Sequence, residues 1–385
     1  MRGFVDGSVA VLLPAYLLAL GHSEFAVGVL GTVTLAGSAL ATLAVGAWGH
    51  RAPSRTLLLG AALLMAVTGI GFAGFTAFWP LLVVAFVGTL NPGAGDVSVF
   101  LPLEHARLAS AGATSNERTA VFARYSLAGA LAAAIGALAA AVPDWLAAHT
   151  ALARVDALRG MFVLYAAAGL AIWAMYRRLP VPPAGSAAAA PTAPLGPSRG
   201  IVVKLAALFS VDAFAGGLVL NSLLSLWLMQ RFGLSLAAAG VFFFCAGLLA
   251  AASQLAAPVL ARRIGLVNTM VLTHLPANVC LVAAALAPTL PLVLALLLVR
   301  ALLSQMDVPT RTAYVMSVVT PAERAAAASF TAVPRSLAAT ASPALAGALF
   351  AGGWLATPLV LCGVLKIGYD LALWVACHRQ PLQGE

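Results

Sequence analysis

Two of the aspartates in apolar segments of the chain lie in sequences that could do chemistry, since acidic side chains are rare there and usually functional. Asp96 ends the tetrapeptide Gly93-Ala94-Gly95-Asp96, and Tyr369-Asp370 lies in the last apolar run. A pair of carboxylates can divide the roles of acid and base between them. Such a pair could activate water for peptide hydrolysis inside a membrane, or a single carboxylate could bind and release a proton without breaking any bond.

The Gly-x-Gly-Asp sequence resembles the catalytic signature of intramembrane aspartyl proteases, which also need a Tyr-Asp partner. Three features of this chain disagree with that family. Its Tyr-Asp sequence follows the glycine signature instead of preceding it, the Pro-Ala-Leu sequence is missing from its usual place, and the second half of the chain does not repeat the signature. We therefore expect no enzymatic activity.

The composition excludes a water-soluble fold, because 62% of the residues are hydrophobic and 9% are charged, with a mean hydropathy of +1.00. Apolar runs of about 20 residues, enough to cross a bilayer, follow one another along the chain. We predict an all-α polytopic membrane protein with twelve transmembrane helices. They span residues 3–20, 25–47, 56–75, 80–106, 118–142, 159–176, 202–229, 236–260, 266–287, 289–318, 323–350 and 354–377.

Basic residues orient these helices, because Lys and Arg accumulate in cytoplasmic loops. With the N-terminus inside, most basic residues, including Arg51 and Arg55, fall on the cytoplasmic side, whereas Arg154, Arg159 and Arg231 fall outside. We expect a protein of the cytoplasmic (inner) membrane with both termini in the cytoplasm. Basic loops beside acidic lipid account for most of the net charge of +9, so we expect the bilayer and not nucleic acid as a partner.

A segment rich in Pro, Ala and Gly divides the chain into two halves. Residues 1–180 and 201–385 each carry six predicted helices, and residues 181–200 form a cytoplasmic linker. Val5-Asp6 in the first helix corresponds to Val211-Asp212 in the seventh, and the second and eighth helices also align. We infer that six helices were duplicated in the same orientation.

The segment GAWGHRAPSR at residues 46–55 is similar to the loop motif G-x-x-x-D-R-x-G-R-R of the major facilitator superfamily. Gly46, Arg51 and Arg55 match the motif, whereas His50 replaces the aspartate and Pro53 the second glycine. With the twelve spans and the linker, the resemblance to these secondary transporters extends over essentially the whole chain. It implies two pseudo-symmetric six-helix bundles, alternating access and a small-molecule substrate. We expect no cofactor and no metal.

Each half contains an aspartate followed 28 residues later by an arginine: Asp96 and Arg124, and Asp307 and Arg335. Two antiparallel helices joined by a turn place residues equally far from the turn at equal depth. We therefore predict two ion pairs within the hydrocarbon. They could lock neighbouring helices, or one aspartate could leave its partner and take up a proton. Asp307 is the preferred carrier, because Arg311 offers it a competing partner four residues away.

The resemblance implies that helices one, four, seven and ten line the substrate path. The polar candidates on them are Asp6, Tyr16, Asn91, Asn221, Trp227, Arg300 and Gln305. Arg300 lies near the middle of its span, where it could hold a substrate carboxylate or phosphate, or pair with an aspartate of helix one or seven. Asp6 lies near the start of its helix, where a carboxylate also interacts favourably with the helix dipole. Asp212 lies deeper in its helix, so of these two aspartates Asp212 is the stronger candidate for proton coupling.

Three local patterns predict further structure. Residues 91–95 and Pro309 should interrupt helices four and ten. Lys366 and Asp370 are four residues apart on the last helix, which predicts a local ion pair. Thr320-Pro321-Ala322-Glu323 resembles a capping box at the start of a helix.

These features predict a secondary transporter that uses protons as its coupling ion and exports small organic compounds. The first alternative is proton-coupled uptake of a small organic anion held by Arg300. The second is a receptor or scaffold on the same fold that transports nothing, since a fold alone does not fix a function.

Overall fold

The computed structural model describes residues 1–93, 100–109, 115–179 and 195–377, and all regular structure in these ranges is helical. The α-helices in chain order are α1 (Arg2–Ala19), α2 (Glu24–Trp48), α3 (Ser54–Gly74), α4 (Phe78–Val87), α5 (Phe100–Ala109), α6 (Ser115–Ala139), α7 (Val142–His149), α8 (Arg154–Tyr176), α9 (Arg199–Gly217), α10 (Asn221–Phe232), α11 (Leu236–Ile264), α12 (Leu266–Leu286), α13 (Leu290–Ser304), α14 (Asp307–Val318), α15 (Arg324–Ala351) and α16 (Thr357–Cys377). Single 3₁₀ turns occupy Gly49–Arg51 and Pro321–Glu323.

Each of the twelve predicted spans coincides with one helix or with two helices in succession, so the predicted all-α membrane fold is confirmed. Within the described ranges, ten helical stretches are long and apolar enough to cross a membrane. The fourth, seventh and tenth predicted spans each contain two helices: α4 and α5, α9 and α10, and α13 and α14. An interrupted helix ends its backbone hydrogen-bond ladder inside the span.

The interruptions lie close to the predicted positions, with one correction. Helix α4 ends at Val87 and α5 begins at Phe100, with residues 94–99 outside the described ranges. In the tenth span the break lies at residues 305–306, and Pro309 is the third residue of α14. Proline is tolerated there because the first turn of a helix has no intrahelical partner for its N–H groups. The break between α9 and α10 was not predicted, although Gly216 and Gly217 immediately precede it.

Close contacts divide the chain into two compact units. Unit 1 comprises Met1–Ala184, Leu220–Cys245 and Pro343–Gly353, and unit 2 comprises Gly185–Val219, Ala246–Ser342 and Trp354–Glu385. Within unit 1, the Ser225 hydroxyl donates to the Val11 carbonyl at 3.0 Å, and the Ala344 amide donates to Thr32 Oγ1 at 3.0 Å. The boundaries of these units are set by close contacts and do not coincide with those of the predicted sequence repeat. The division into residues 1–180, 181–200 and 201–385 therefore stays a prediction.

Helices α1 and α6 of unit 1 approach each other to backbone contact. A Cβ atom placed on Gly7 would lie 2.0 Å from the carbonyl oxygen of Ala133, and one on Gly136 would lie 1.8 Å from that of Phe4. Small residues allow such close packing between membrane helices. The first helix is therefore held against the fifth predicted span by two glycines.

In unit 2, α9, α12, α14 and α16 share a buried core. Its large members include Phe209, Met270, Tyr314, Tyr369 and Leu373, each at most 3% exposed. Apolar packing of this kind fixes the rotation of each helix, because its side chains fit their neighbours in few arrangements. The rotation then determines which polar side chains of these four helices point at one another.

Substitution of Gly7 by Ala tests the contact between α1 and α6. The added methyl group has no room beside Ala133, and overpacking of this kind costs about 1–3 kcal/mol. We expect Gly7→Ala to lower the thermal unfolding temperature of the detergent-purified protein. The control is Gly60→Ala in α3, where a Cβ atom would meet nothing within 4 Å. Equal unfolding temperatures for the two variants would contradict the close approach.

Candidate functional site

Four charged side chains from three helices meet inside unit 2. They are Asp212 on α9, Asp307 and Arg311 on α14, and Lys366 on α16. Arg311 Nη1 lies 3.0 Å from Asp212 Oδ2 and 3.3 Å from Asp307 Oδ2. Lys366 Nζ donates to the other carboxylate oxygen of Asp212. Three of these residues were predicted from the sequence as coupling residues, and the structure places them in contact; Lys366 completes the group.

The charges of this group balance, with two carboxylates and two cations. Each of the four side chains is at most 10% exposed. An unpaired charge in such surroundings costs several kcal/mol, so each group depends on its neighbours to remain ionised. The partners are shared unequally: Asp212 contacts both cations, whereas the ion pairs of the described residues give Asp307 only Arg311.

The break between α13 and α14 positions the acidic end of this group. Asp307 is the first residue of α14, where a carboxylate also interacts favourably with the helix dipole. Arg311 follows four residues later and therefore lies on the same helix face. The ring of Phe209 on α9 lies 5.4 Å from the Arg311 guanidinium, which favours the cation further. The arrangement can bind and release a proton between fixed cations.

A second buried polar group in unit 2 joins α12 and α16. His274 Nδ1 lies 2.8 Å from Asp370 Oδ1, and Asn278 Nδ2 donates to Asp370 Oδ2 at 3.1 Å. The predicted ion pair between Lys366 and Asp370 is wrong, because Lys366 bonds Asp212 on α9 and Asp370 is held by His274 and Asn278 on α12. Sequence spacing identifies neighbours on one helix, but it contains no information about the facing helix.

Unit 1 contains a different charged cluster, around Arg2 of α1. Arg2 Nη1 lies 3.0 Å from Glu104 Oε2, and Arg2 Nε lies 4.0 Å from Asp6 Oδ2. The hydroxyl groups of Tyr125 and Tyr176 both donate to Glu104. Two carboxylates therefore share one guanidinium. The sequence prediction included Asp6 but missed Glu104, although an acid inside the predicted span 80–106 was a visible signal.

Arg300 on α13 is a partly buried cation of unit 2 outside the balanced group. Its Nε atom is buried and has no hydrogen-bond partner among the described residues. The thiol of Cys362 on α16 interacts with it electrostatically. The predicted alternative of pairing with an aspartate of helix one or seven has no counterpart among the ion pairs of the described residues, since Asp212 is held by Arg311 and Lys366.

For the other predicted cavity residues, the lining of a substrate path stays a prediction. Tyr16 and Trp227 are 0% exposed, and the Tyr16 hydroxyl donates to the Phe72 carbonyl. Asn91 is buried in the segment after α4, and Asn221 begins α10. Gln305 lies between α13 and α14 and accepts from Gln254 Nε2 at 3.5 Å. Rings buried as fully as those of Tyr16 and Trp227 are typical of helix packing.

The predicted pairs of Asp96 with Arg124 and of Asp307 with Arg335 stay predictions. Asp96 falls outside the described residues. Arg124 lies exposed on α6, and Arg335 is partly buried on α15. The ion pair that the structure gives to Asp307 is the one with Arg311 at 3.3 Å.

The loop motif between α2 and α3 contacts the end of α8 within unit 1. Gly46 lies exposed near the end of α2, and the 3₁₀ turn contains His50 and Arg51. Arg55 Nε donates to the Tyr176 carbonyl at 3.4 Å, and its Nη2 donates to the Arg177 carbonyl. These carbonyl groups lie at the end of α8, where a helix has unsatisfied acceptors and a negative dipole end. Arg55 therefore caps the sixth span.

Glu323, in the turn before α15, forms hydrogen bonds with the end of the linker. Its carboxylate is 3% exposed and accepts hydrogen bonds from the Ser198 hydroxyl at 2.6 Å, the Thr320 hydroxyl at 2.7 Å and the Gly196 amide. These donors, that of Ser198 first, lower the pKa of Glu323 to about 2. The predicted capping box is wrong in detail, because Thr320 donates to Glu323 and makes no side-chain bond to the helix backbone.

Comparisons with known proteins agree with this architecture. The family model described as Major Facilitator Superfamily matches residues 1–304. An uncharacterized membrane protein of Saccharomyces cerevisiae is 25% identical over 402 residues, which cover 94% of this chain and 88% of that protein.

Solved transporters share the fold over nearly the whole chain. The nucleoside transporter NupG superposes with a TM-score of 0.74 at 15% identity, covering 99% of this chain and 98% of that one. The inward-open xylose transporter XylE from E. coli has a TM-score of 0.73 at 15% identity, with coverages of 100% and 95%. At these identities the likeness is one of fold, and it does not extend to the solute.

The low pKa of Glu323 predicts how acid affects the docked linker end, that is, the hydrogen bonds of Gly196 and Ser198 to the Glu323 carboxylate. Because the folded-state pKa lies below the ordinary value of 4.5, the charged carboxylate stabilises the docked state above about pH 4.5, and this contribution is lost as the pH falls towards 2. We expect the hydrogen-exchange protection of the Gly196 amide, corrected for intrinsic rates, to fall across this interval.

In Glu323→Gln the same protection should be low and nearly independent of pH. The control is Asp156→Asn, which removes the exposed carboxylate that pairs with Arg159 at 3.0 Å. Wild-type protection at Gly196 in the Glu323→Gln protein would contradict the role of this carboxylate.

Proposed function

This chain belongs to the major facilitator superfamily, and from that premise we propose that it is a secondary active transporter which exports small organic compounds in exchange for protons. The observation that carries the proposal is the charge-balanced group of Asp212, Asp307, Arg311 and Lys366 in unit 2. Buried ionisable groups in membrane proteins pair with one another and mark ion and substrate pathways.

The unequal sharing of partners in this group favours Asp307 as the proton carrier. When Asp307 takes up a proton, Arg311 and Lys366 both still contact Asp212. Protonation of Asp212 would leave Lys366 without its carboxylate, because Arg311 alone reaches Asp307. Asp307 is therefore the acid whose charge is lost at the smaller cost.

The conformational change in the proposal is alternating access of two six-helix halves. Asp307 would pair with Arg335 in one conformation and with Arg311 in the other, and Asp96 with Arg124 would form the corresponding lock in the first half. The interrupted spans support movement at these depths, since a break removes the continuous hydrogen-bond ladder that keeps a helix rigid.

We further propose that the protein lies in the cytoplasmic membrane with both termini in the cytoplasm, since the basic residues favour that orientation. Export is favoured over import because the loop motif is degenerate, with His50 in place of the aspartate, and the chain carries no sequence signature of a dedicated substrate. An expected substrate is small, organic and amphiphilic.

Arg300 supports a second candidate function, the proton-coupled uptake of a small organic anion. Its buried Nε has no hydrogen-bond partner among the described residues, and a guanidinium binds a carboxylate or phosphate through paired hydrogen bonds. A bound substrate anion would supply a negative charge to neutralise this guanidinium.

Replacement of Asp307 by Asn tests the coupling. The protein is reconstituted into liposomes that contain a pH indicator, and ethidium, uridine, xylose and benzoate serve as probes of four solute classes. We expect one probe to drive proton movement in the wild type and none in Asp307→Asn, which cannot exchange a proton at that position.

Asp212→Asn should in addition lower the thermal stability, because it leaves Lys366 as an uncompensated buried cation. Asp144→Asn is the matched control, since Asp144 forms an exposed pair with Arg154 at 2.7 Å. Proton movement that survives in Asp307→Asn would refute the assignment of the carrier, and the absence of coupled movement for every probe in the wild type would count against proton-coupled export.

Arg300→Gln distinguishes the two candidate functions. If an anion binds at Arg300, thermal stabilisation of the protein by benzoate or inorganic phosphate should require about tenfold to hundredfold more ligand in the variant, because hydrogen bonds to a charged group contribute about 1.5–3 kcal/mol. Arg300→Lys keeps the charge and should lose less. Unchanged stabilisation by both anions in Arg300→Gln would eliminate this anion site.

A further inference from the structure

Lys366 has two buried carboxylates of unit 2 as candidate partners. Its ammonium group bonds Asp212 on α9. Asp370 lies four residues further along α16, at the spacing at which a lysine and an aspartate on one helix face can pair. Lys366 has four rotatable side-chain bonds and can exchange partners without a change in the backbone. In the structure Asp370 is held instead by His274 and Asn278.

An ionised Asp370 requires a cation beside it in this buried position. Asp370 is 1% exposed and His274 is 4% exposed. A neutral imidazole beside Asp370 would leave that carboxylate without a cation, whereas an imidazolium pairs with it. With His274 protonated, the carboxylates of Asp212, Asp307 and Asp370 are matched by Arg311, Lys366 and His274, and no buried charge is left over.

We propose that the His274–Asp370 pair is a second proton site, and that Lys366 links it to Asp307 by moving from Asp212 to Asp370. Resting on the proposed proton coupling at Asp307, the inference adds the group that releases a proton when Asp307 binds one.

Charge and protons balance in this exchange. A proton binds Asp307, which becomes neutral, and Arg311 retains Asp212 as its partner. The ammonium group of Lys366 leaves Asp212 and pairs with Asp370, while Asn278 keeps its bond to that carboxylate. His274 then loses one proton and becomes a neutral imidazole. One proton is taken up and one is released, and every remaining buried carboxylate still has a cation.

The helices packed against α12 are α13, α14 and α16, and α9 adds Asp212, a second carboxylate that interacts electrostatically with His274. The charged and titratable groups that they carry are Arg300 on α13, Asp307, Arg311 and Tyr314 on α14, and Lys366, Tyr369, Asp370, Cys362 and Cys377 on α16. Tyr369 packs its ring 6.1 Å from that of His274. Lys366 therefore acts on the imidazolium through the carboxylates, because it bonds Asp212 and lies four residues from Asp370.

Nuclear magnetic resonance of the nitrogen-labelled histidine side chains in nanodiscs tests the linkage directly, without any substrate. His274→Gln assigns the signal by its disappearance. At neutral pH we expect an imidazolium signal for His274 in the wild type. Asp307→Asn mimics the protonated carrier, and in that variant we expect the His274 signal to change to that of a neutral imidazole.

Lys366 must be necessary for this response. In Asp307→Asn with Lys366→Gln, His274 should keep its imidazolium signal, because no cation is left to pair with Asp370. If that double variant does not fold, Asp307→Asn with Lys366→Met provides the second measurement: Met is neutral and of similar length, so His274 should again keep its imidazolium signal. Asp144→Asn is the control and should leave His274 unchanged.

The results separate this inference from the proposed function. An identical His274 signal in the wild type and in Asp307→Asn overturns the linkage, even if Asp307→Asn abolishes proton-coupled flux. A full response of His274 in the double variant without Lys366 overturns the role of the lysine. A response that requires Lys366 supports the linkage even if no solute drives proton movement, and in that case the proposed transport function fails alone.

Discussion

A charge buried at hydrocarbon depth must be neutralised by another charge, and this requirement determines which helices of unit 2 can lie together. Asp212, Arg311 and Lys366 come from three different helices. Removal of any one of them leaves a neighbour uncompensated. The apolar core around Phe209 and Tyr369 fixes the helix rotations, and the ion pairs then favour the one set of rotations in which all charges meet.

The two units satisfy this requirement differently. In the group of Asp212, Asp307, Arg311 and Lys366 in unit 2, two cations match two carboxylates, so the group is neutral. In unit 1 a single guanidinium, that of Arg2, serves both Asp6 and Glu104, and the hydroxyl groups of Tyr125 and Tyr176 complete the coordination of Glu104. Neutral hydroxyl donors stabilise a carboxylate less than a cation does. The pseudo-symmetry predicted from the sequence therefore does not extend to the chemistry of the two buried clusters.

The sequence predicted the helices far better than the contacts between them. Apolar runs locate all twelve spans because the thickness of the bilayer sets their length, and Pro and Gly indicate where two of the three interrupted spans break. The partners of Lys366 and Asp370 could not be predicted, since spacing along α16 says nothing about α9 or α12. The contact of Asp212 with Arg311 joins residues 99 positions apart, and only the packed core determines which faces of their helices meet.

The breaks between α9 and α10 and between α13 and α14 have a consequence for the backbone itself. A helix that ends inside the hydrocarbon leaves its last carbonyl groups, and the next helix its first N–H groups, without partners in the same helix. Main-chain groups at such a break can therefore bond partners outside their own helix, as the Ser222 amide does when it donates to the Pro92 carbonyl at 3.1 Å. These groups are insensitive to side-chain substitution, so recognition of a polar solute at these points would persist while the residues around it diverge.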